Sequence, residues 1–176
     1  MRLLSRAAIA FAAILFVAPA LHAQMSVNVA LGAAVPMGDA ADAVDMGYNA
    51  TVGIGIKPPL APLGLRVEGM FNSFKYKSTA IDASQRVMAV TANGTFTLIP
   101  TVYLIGGVGM YNSKASVSGS SASTDFGFNF GAGVNIPLTG FGTYLEARFH
   151  HVPVDASTPG AASNFQFVPI TFGIKF

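Results

Sequence analysis

Cysteine and tryptophan are absent from the 176 residues, and only 10% of the chain is charged. Without cysteine there is no disulfide framework, no thiolate metal site and no sulfur for a lipid anchor. The shortage of charge excludes an ordinary soluble domain, about a quarter of whose residues are Asp, Glu, Lys or Arg. Disorder is excluded as well, because it needs low hydrophobicity and high net charge, whereas 52% of these residues are apolar. After the N-terminus no apolar run reaches the roughly 18 residues of a spanning helix. The 19 Gly and 10 Pro work against long helices of any kind.

The first 23 residues read as a secretory signal peptide. Arg2 and Arg6 give a positive start, Ala7 to Ala18 is a continuous apolar stretch, and Ala18, Ala20 and Ala23 supply small residues for cleavage. Cleavage after Ala23 leaves Gln24 first, with Ala20 as the alternative. Its removal takes two of the ten basic residues, so residues 24–176 carry eight of each sign. No basic footprint for nucleic acid remains.

Residues 24–176 are one domain by length and divide into eight alternating segments. They are Ser26–Val35, Tyr48–Ile56, Leu65–Tyr76, Arg86–Leu98, Thr101–Tyr111, Asp125–Ile136, Thr143–His151 and Phe165–Phe176. In the sixth, Phe126, Phe128, Phe130, Ala132, Val134 and Ile136 oppose Gly127, Asn129, Gly131, Gly133 and Asn135. Period two over this many segments is a strand signal. One face is large and uncharged; the other is small or polar with a few charges. That is the reverse of a soluble barrel, so the large apolar face must meet an apolar solvent. The segment lengths suit strands that cross a bilayer at a tilt. Connections alternate between short and long, starting and ending on the short-turn side, which predicts both termini in the periplasm. Closure is obligatory, since an open edge in lipid leaves backbone groups unpaired. The expected fold is an all-β, eight-stranded, antiparallel up-and-down transmembrane barrel.

On these residues the chain resembles the small eight-stranded outer-membrane barrels, the family of OmpX-like proteins and the OmpA membrane domain. The ending Phe-Val-Pro-Ile-Thr-Phe-Gly-Ile-Lys-Phe, Phe167 to Phe176, is similar to the family's last strand. Tyr144-Leu145-Glu146-Ala147-Arg148-Phe149 resembles a recurrent seventh-strand pattern, and Gly106-Gly107-Val108-Gly109 a fifth-strand one. The resemblance implies an outer-membrane location. It also implies that Phe172, Ile174 and Phe176 form the signal read by the barrel-assembly machinery, with periplasmic chaperones as partners on the way. Lipid as the lasting partner, a monomeric barrel and no cofactor are what the resemblance leads one to expect. Lacking Trp, the chain should build its aromatic girdle from Tyr and Phe.

The candidate site lies in the lumen. Arg66 and Glu68 share the inward face of the third segment; Glu146, Arg148 and His150 share that of the seventh. Strands three and seven are opposite in a ring of eight, whose interior is only wide enough for side chains to fill. These groups are expected to pair across the lumen as a neutral plug, since isolated charges there are costly. Pairing within a strand, Arg66 with Glu68 and Glu146 with Arg148, is the competing arrangement. An ion or proton path is the functional alternative for the same charges.

Other motifs carry less. His150 and His151 are adjacent on a strand and point to opposite faces, so they do not chelate one ion. A lipid A deacylase of this fold class would need a Ser two residues after its His; Val152 and Pro153 stand there. The glycines at 106, 107 and 109 sit mid-strand and lack the Lys of a phosphate loop. Asp39, Asp42 and Asp45 lack the spacing of a calcium-binding loop. Ser116–Thr124 reads as a solvated, Ser-rich tip, and the sequons at Asn49 and Asn93 fall inside strands. The resulting expectation is a structural or surface-interaction barrel; a lipid-modifying enzyme and a narrow pore are the alternatives.

Overall fold

A computed structural model describes residues 24–77, 83–116, 122–138, 141–153 and 164–176. The expected signal segment, Met1–Ala23, and most of the Ser-rich tip lie outside the described residues. Eight strands run in order: β1 (Gln24–Met37), β2 (Gly47–Lys57), β3 (Leu63–Lys75), β4 (Ser84–Ile99), β5 (Val102–Ala115), β6 (Ser123–Leu138), β7 (Phe141–Pro153) and β8 (Asn164–Lys175). Every neighbouring pair is antiparallel, and β1 pairs with β8 to close the barrel. At that seam the Val27 and Phe176 backbones exchange hydrogen bonds of 3.0 and 2.9 Å. The expected up-and-down topology is therefore present, with strands that reach slightly beyond most of the sequence-derived limits.

Alternation sets the two faces throughout. Outward-facing Leu65, Val67, Val90, Phe126, Phe130 and Phe172 are exposed, while inward-facing Arg66, Glu68, Thr91, Asn93, Asn129 and Thr171 are buried. An apolar outer wall around a polar lumen is the arrangement of a transmembrane barrel.

Three features differ from expectation. A short helix, α1 (Asp39–Ala43), occupies the β1–β2 loop. Gly38 precedes it at φ 56°, a left-handed backbone that costs glycine little. Helix α1 delivers Val44 into the barrel mouth, where it bridges to Tyr76. Secondly, the inner face is not polar along its whole length. Phe74, Phe167, Val87, Val152, Tyr111 and Val44 make a buried apolar cluster at the loop end. Phe74 meets Phe167 edge-on with ring centroids 5.6 Å apart. Thirdly, tyrosine does little for an aromatic girdle. Tyr103, Tyr111 and Tyr144 are buried in the lumen, and Tyr48 is the exposed one, packed against Phe71 at 5.9 Å. The reason is local space. Tyr103 pairs with Gly133 and Tyr144 with Gly173 across neighbouring strands. Each ring lies where the glycine's Cβ would otherwise project.

Candidate functional site: the lumen ion ring

Inward parity puts Arg66 and Glu68 two residues apart on β3, and Glu146 and Arg148 two apart on β7. Each has a glycine beside it on an adjacent strand: Gly55 by Arg66, Gly53 by Glu68, Gly133 by Glu146 and Gly131 by Arg148. At Gly53 and Gly131 the gap is used by the charged side chains themselves, at Gly133 by the Tyr103 ring and at Gly55 by Ser26 and Asn28. A Cβ at Gly53 would lie 2.6 Å from Glu68 Cγ.

The four charges close into a ring. Arg66 Nη2 donates to Glu146 Oε2 at 2.5 Å, and Arg148 Nη1 donates to Glu68 Oε2 at 2.6 Å. Within the strands, Arg66 Nε lies 3.0 Å from Glu68 Oε1 and Arg148 Nε 2.7 Å from Glu146 Oε1. These last two are ion pairs by distance, but their N–H groups are not aligned for hydrogen bonds. The cross-lumen and within-strand pairings thus coexist rather than compete. Neutral donors complete the carboxylates: Tyr103 Oη donates to Glu146 Oε2 at 2.6 Å, and Asn93 Nδ2 to Glu68 Oε2 at 2.9 Å. Asn129 Nδ2 in turn donates to Asn93 Oδ1 at 2.9 Å, and the Arg66 guanidinium lies 5.7 Å from the Tyr144 ring centre. Formal charge in the ring cancels, and all four side chains are almost fully buried.

His150 stands apart from the ring. It is inward and fully buried, but its Nδ1 is 2.9 Å from Tyr111 Oη and its ring stacks on Phe167 at 4.9 Å. One strand step separates it from Arg148, which puts it in the layer between the ions and the apolar cluster. His151 faces outward, stacked on Phe128 at 5.0 Å and 3.0 Å from the Gln166 amide nitrogen. The two histidines therefore lie on opposite faces of the wall. Asp39 and Asp42 begin α1, and Asp45 follows in an exposed segment. Tyr76, just past β3, donates to Gln85 Oε1 at 2.6 Å, and partial burial raises its phenol pKa above the ordinary value.

Below the ring, at the turn end, is a polar cavity of about 200 Å³ lined by Asn28, Lys57, Thr97, Asn135 and Lys175. Lys57 Nζ donates to Thr97 Oγ1 at 2.7 Å and Lys175 Nζ to Asn135 Oδ1 at 2.8 Å. Lys175 also sits over the rings of Tyr103 and Tyr144, at 5.0 and 4.9 Å. The lumen therefore reads, from turn end to loop end, as a cationic vestibule, an ion ring, a Tyr111–His150 layer and an apolar stopper. The stopper departs from the small or polar inner face expected from alternation. Its signal was parity: Phe74 continues the inward series 66, 68, 70, 72, and Val152 the series 146, 148, 150. Phe172 and Phe176 are exposed on the outer wall at the seam, and Ile174 is half-buried beside them.

Such a set has limited chemical scope. Each carboxylate is held by two guanidinium groups and a neutral donor, which leaves it no role as a free base. His150 Nδ1 faces the Tyr111 hydroxyl, and its Nε2 has no hydrogen-bond partner among the described residues.

The same wall occurs in other proteins. Neisserial surface protein A is 16% identical with a TM-score of 0.64, over 87% of this chain and 97% of that one. The Yersinia pestis outer membrane protein Ail, in a phospholipid bilayer nanodisc, is 18% identical with a TM-score of 0.51, over 88% of this chain and 100% of that one. OprG of Pseudomonas aeruginosa is 12% identical with a TM-score of 0.51, over 88% and 97%. At these identities the likeness is one of fold. No curated protein sequence matches the chain. The profile of the outer membrane protein β-barrel domain matches residues 7–176, and with a match of that extent the chain belongs to the outer membrane β-barrel domain family.

Proposed function

We propose that the protein is a sealed, monomeric outer-membrane barrel with a structural or surface-interaction role and no catalytic one. The observation that carries this reading is the double closure of the lumen, by the ion ring and by the apolar cluster around Phe74 and Phe167. A path for ions needs an open, hydrated file, and neither layer offers one. A deacylase needs a nucleophile beside its histidine, and Tyr111 occupies that position for His150. Both termini lie in the periplasm and the four longer connections face outward. Lipid covers the wall. The chain reaches it through periplasmic chaperones and the barrel-assembly machinery, which reads Phe172, Ile174 and Phe176.

Planar bilayers test the seal. The folded wild type inserts without steady conductance, and a continuous ohmic current replaces this reading with that of a narrow pore. Orientation has its own test. A cysteine at Asp42, in α1, reacts with an impermeant maleimide on intact cells; protection there reverses the topology.

A further inference from the structure

Within the strands, charged side chains face the lumen with three exceptions. Lys75 on β3, Arg86 on β4 and Lys114 on β5 point outward, and all are cationic and exposed. They lie together on adjacent strands at the loop end. Arg86 and Lys114 are directly paired across β4 and β5, and Arg86 pairs on its other side with Ser73, two residues before Lys75. Like charges placed opposite one another are unfavourable. None of the three has an ion-pair or hydrogen-bond partner among the described residues.

A second feature adjoins them. The next row of outward residues toward the turn end is Ala50, Phe71, Met88 and Asn112, and the row after it is Val52, Gly69, Val90 and Met110. Small Ala50 and Gly69 sit between bulkier neighbours. They help open an apolar groove of about 590 Å³ in the outer wall. A Cβ at Gly69 would meet only Val52 Cγ1, at an unstrained 4.0 Å. At the upper lip Asn112 Nδ2 donates to Thr124 Oγ1 at 2.8 Å, and Tyr48 lies beside Phe71. Aromatic residues of that kind mark the level of the headgroups.

The geometry points to a lipid-binding site on the outer wall: acyl chains in the groove around Gly69, and a phosphomonoester headgroup on Lys75, Arg86 and Lys114. Charge complementarity selects the occupant. Three cations with no partner among the described residues, above an apolar groove, match a lipid anion, and a phosphomonoester, near −2, matches them better than a diester of −1. With the loop end outward, as proposed above, the occupant is a phosphorylated glycolipid of the outer leaflet. This assignment rests on that orientation, but binding in detergent does not, so the two fail separately.

The folded protein in detergent is titrated, with native mass spectrometry as readout, against three probes. They are bis-phosphorylated lipid A, the same glycolipid stripped of phosphate, and phosphatidylglycerol. Lipid A is the tightest. The combined variant Lys75→Gln, Arg86→Gln, Lys114→Gln weakens it by about a hundredfold, roughly fivefold per surface cation, and brings it to the level of the stripped form. Gly69→Leu fills the groove from the other direction and weakens lipid A and its stripped form alike. Circular dichroism confirms that both variants are folded. Equal affinity for lipid A and its stripped form, equal affinity for phosphatidylglycerol, or an unaffected triple variant overturns the site. In that last case the three cations are solvated rim charges only.

Discussion

Replacing Arg148 with Met removes two contacts at once, at 2.6 Å to Glu68 and 2.7 Å to Glu146. Both carboxylates are then left to share Arg66, and the ring carries a net negative charge. Breaking a buried pair costs on the order of 3–5 kcal/mol. Asn93 and Tyr103 still donate to the carboxylates, so the lower end of that range, about 3 kcal/mol, applies. Glu68→Gln leaves the opposite imbalance at a similar cost. Together the two changes leave Arg66 with Glu146 at 2.5 Å, a neutral pair. The double variant should therefore lose about 2–3 kcal/mol less than the two single losses added. A closed ring makes a further demand. Glu68→Gln with Glu146→Gln strands two guanidinium groups in one confined layer, and its loss should exceed additivity. Equilibrium urea unfolding in phospholipid vesicles measures all of these, with far-ultraviolet circular dichroism as the signal because the chain has no Trp. Strict additivity for Glu68 with Arg148, or coupling of the same sign for the two-glutamate variant, refutes the ring.

Three further outcomes follow from the wall and its seam. Phe130→Arg, on the outward face of β6 near the level of the ring, should cost about 2–4 kcal/mol, whereas Val35→Arg near the loop end should cost little; equal costs in the same vesicle assay contradict the assigned depth. Gly173→Ala drives a methyl into the Tyr144 ring and should destabilise by about 1–3 kcal/mol, while the double variant Gly173→Ala, Tyr144→Phe should recover little because the ring itself is the obstacle; a neutral Gly173→Ala rejects the packing. Deleting Phe176 should lower the amount of protein in the outer membrane far more than it lowers the urea midpoint of the refolded barrel, and unchanged outer-membrane yield counts against its role in assembly.

How far the sequence discloses this molecule depends on what period two can carry. It assigns each residue to a face, and so Phe128, Val134 and Leu145 are outward while Asn129, Asn135 and Glu146 are inward, as read from alternation. It says nothing of how far a side chain reaches around the lumen. Whether Arg66 turns to Glu68 or to Glu146 depends on strand tilt and on the space left by Gly53 and Gly131, and the outcome is both. Parity alone puts His150 on the same face as the ions. Its partner Tyr111 comes from β5, 39 residues away in sequence, and no local pattern signals that meeting. Phe74 and Phe167 were hidden by the rule that the inner face is small or polar. That rule holds at mid-lumen and reverses at the loop end, where α1 lends Val44 to an apolar cluster. Helix α1 spans five residues, too few to show any period.

The closing of the ring between residues 80 positions apart bears on the order of events during insertion. A sheet that has entered the bilayer only as far as β4 presents Arg66 and Glu68 on an unroofed face, with β7 still outside. In hydrocarbon that intermediate is strongly unfavourable. Piecemeal entry, strand by strand, is thereby penalised, and the two halves must curl toward each other before either is committed to lipid. The seam between Val27 and Phe176 imposes the same requirement on the backbone, since its hydrogen bonds form only when the last residue arrives. Contacts so remote in sequence slow folding, but they also make it all-or-none. A truncated or misregistered chain cannot complete the circuit of charge, and its lumen ions are left without their partners from across the ring.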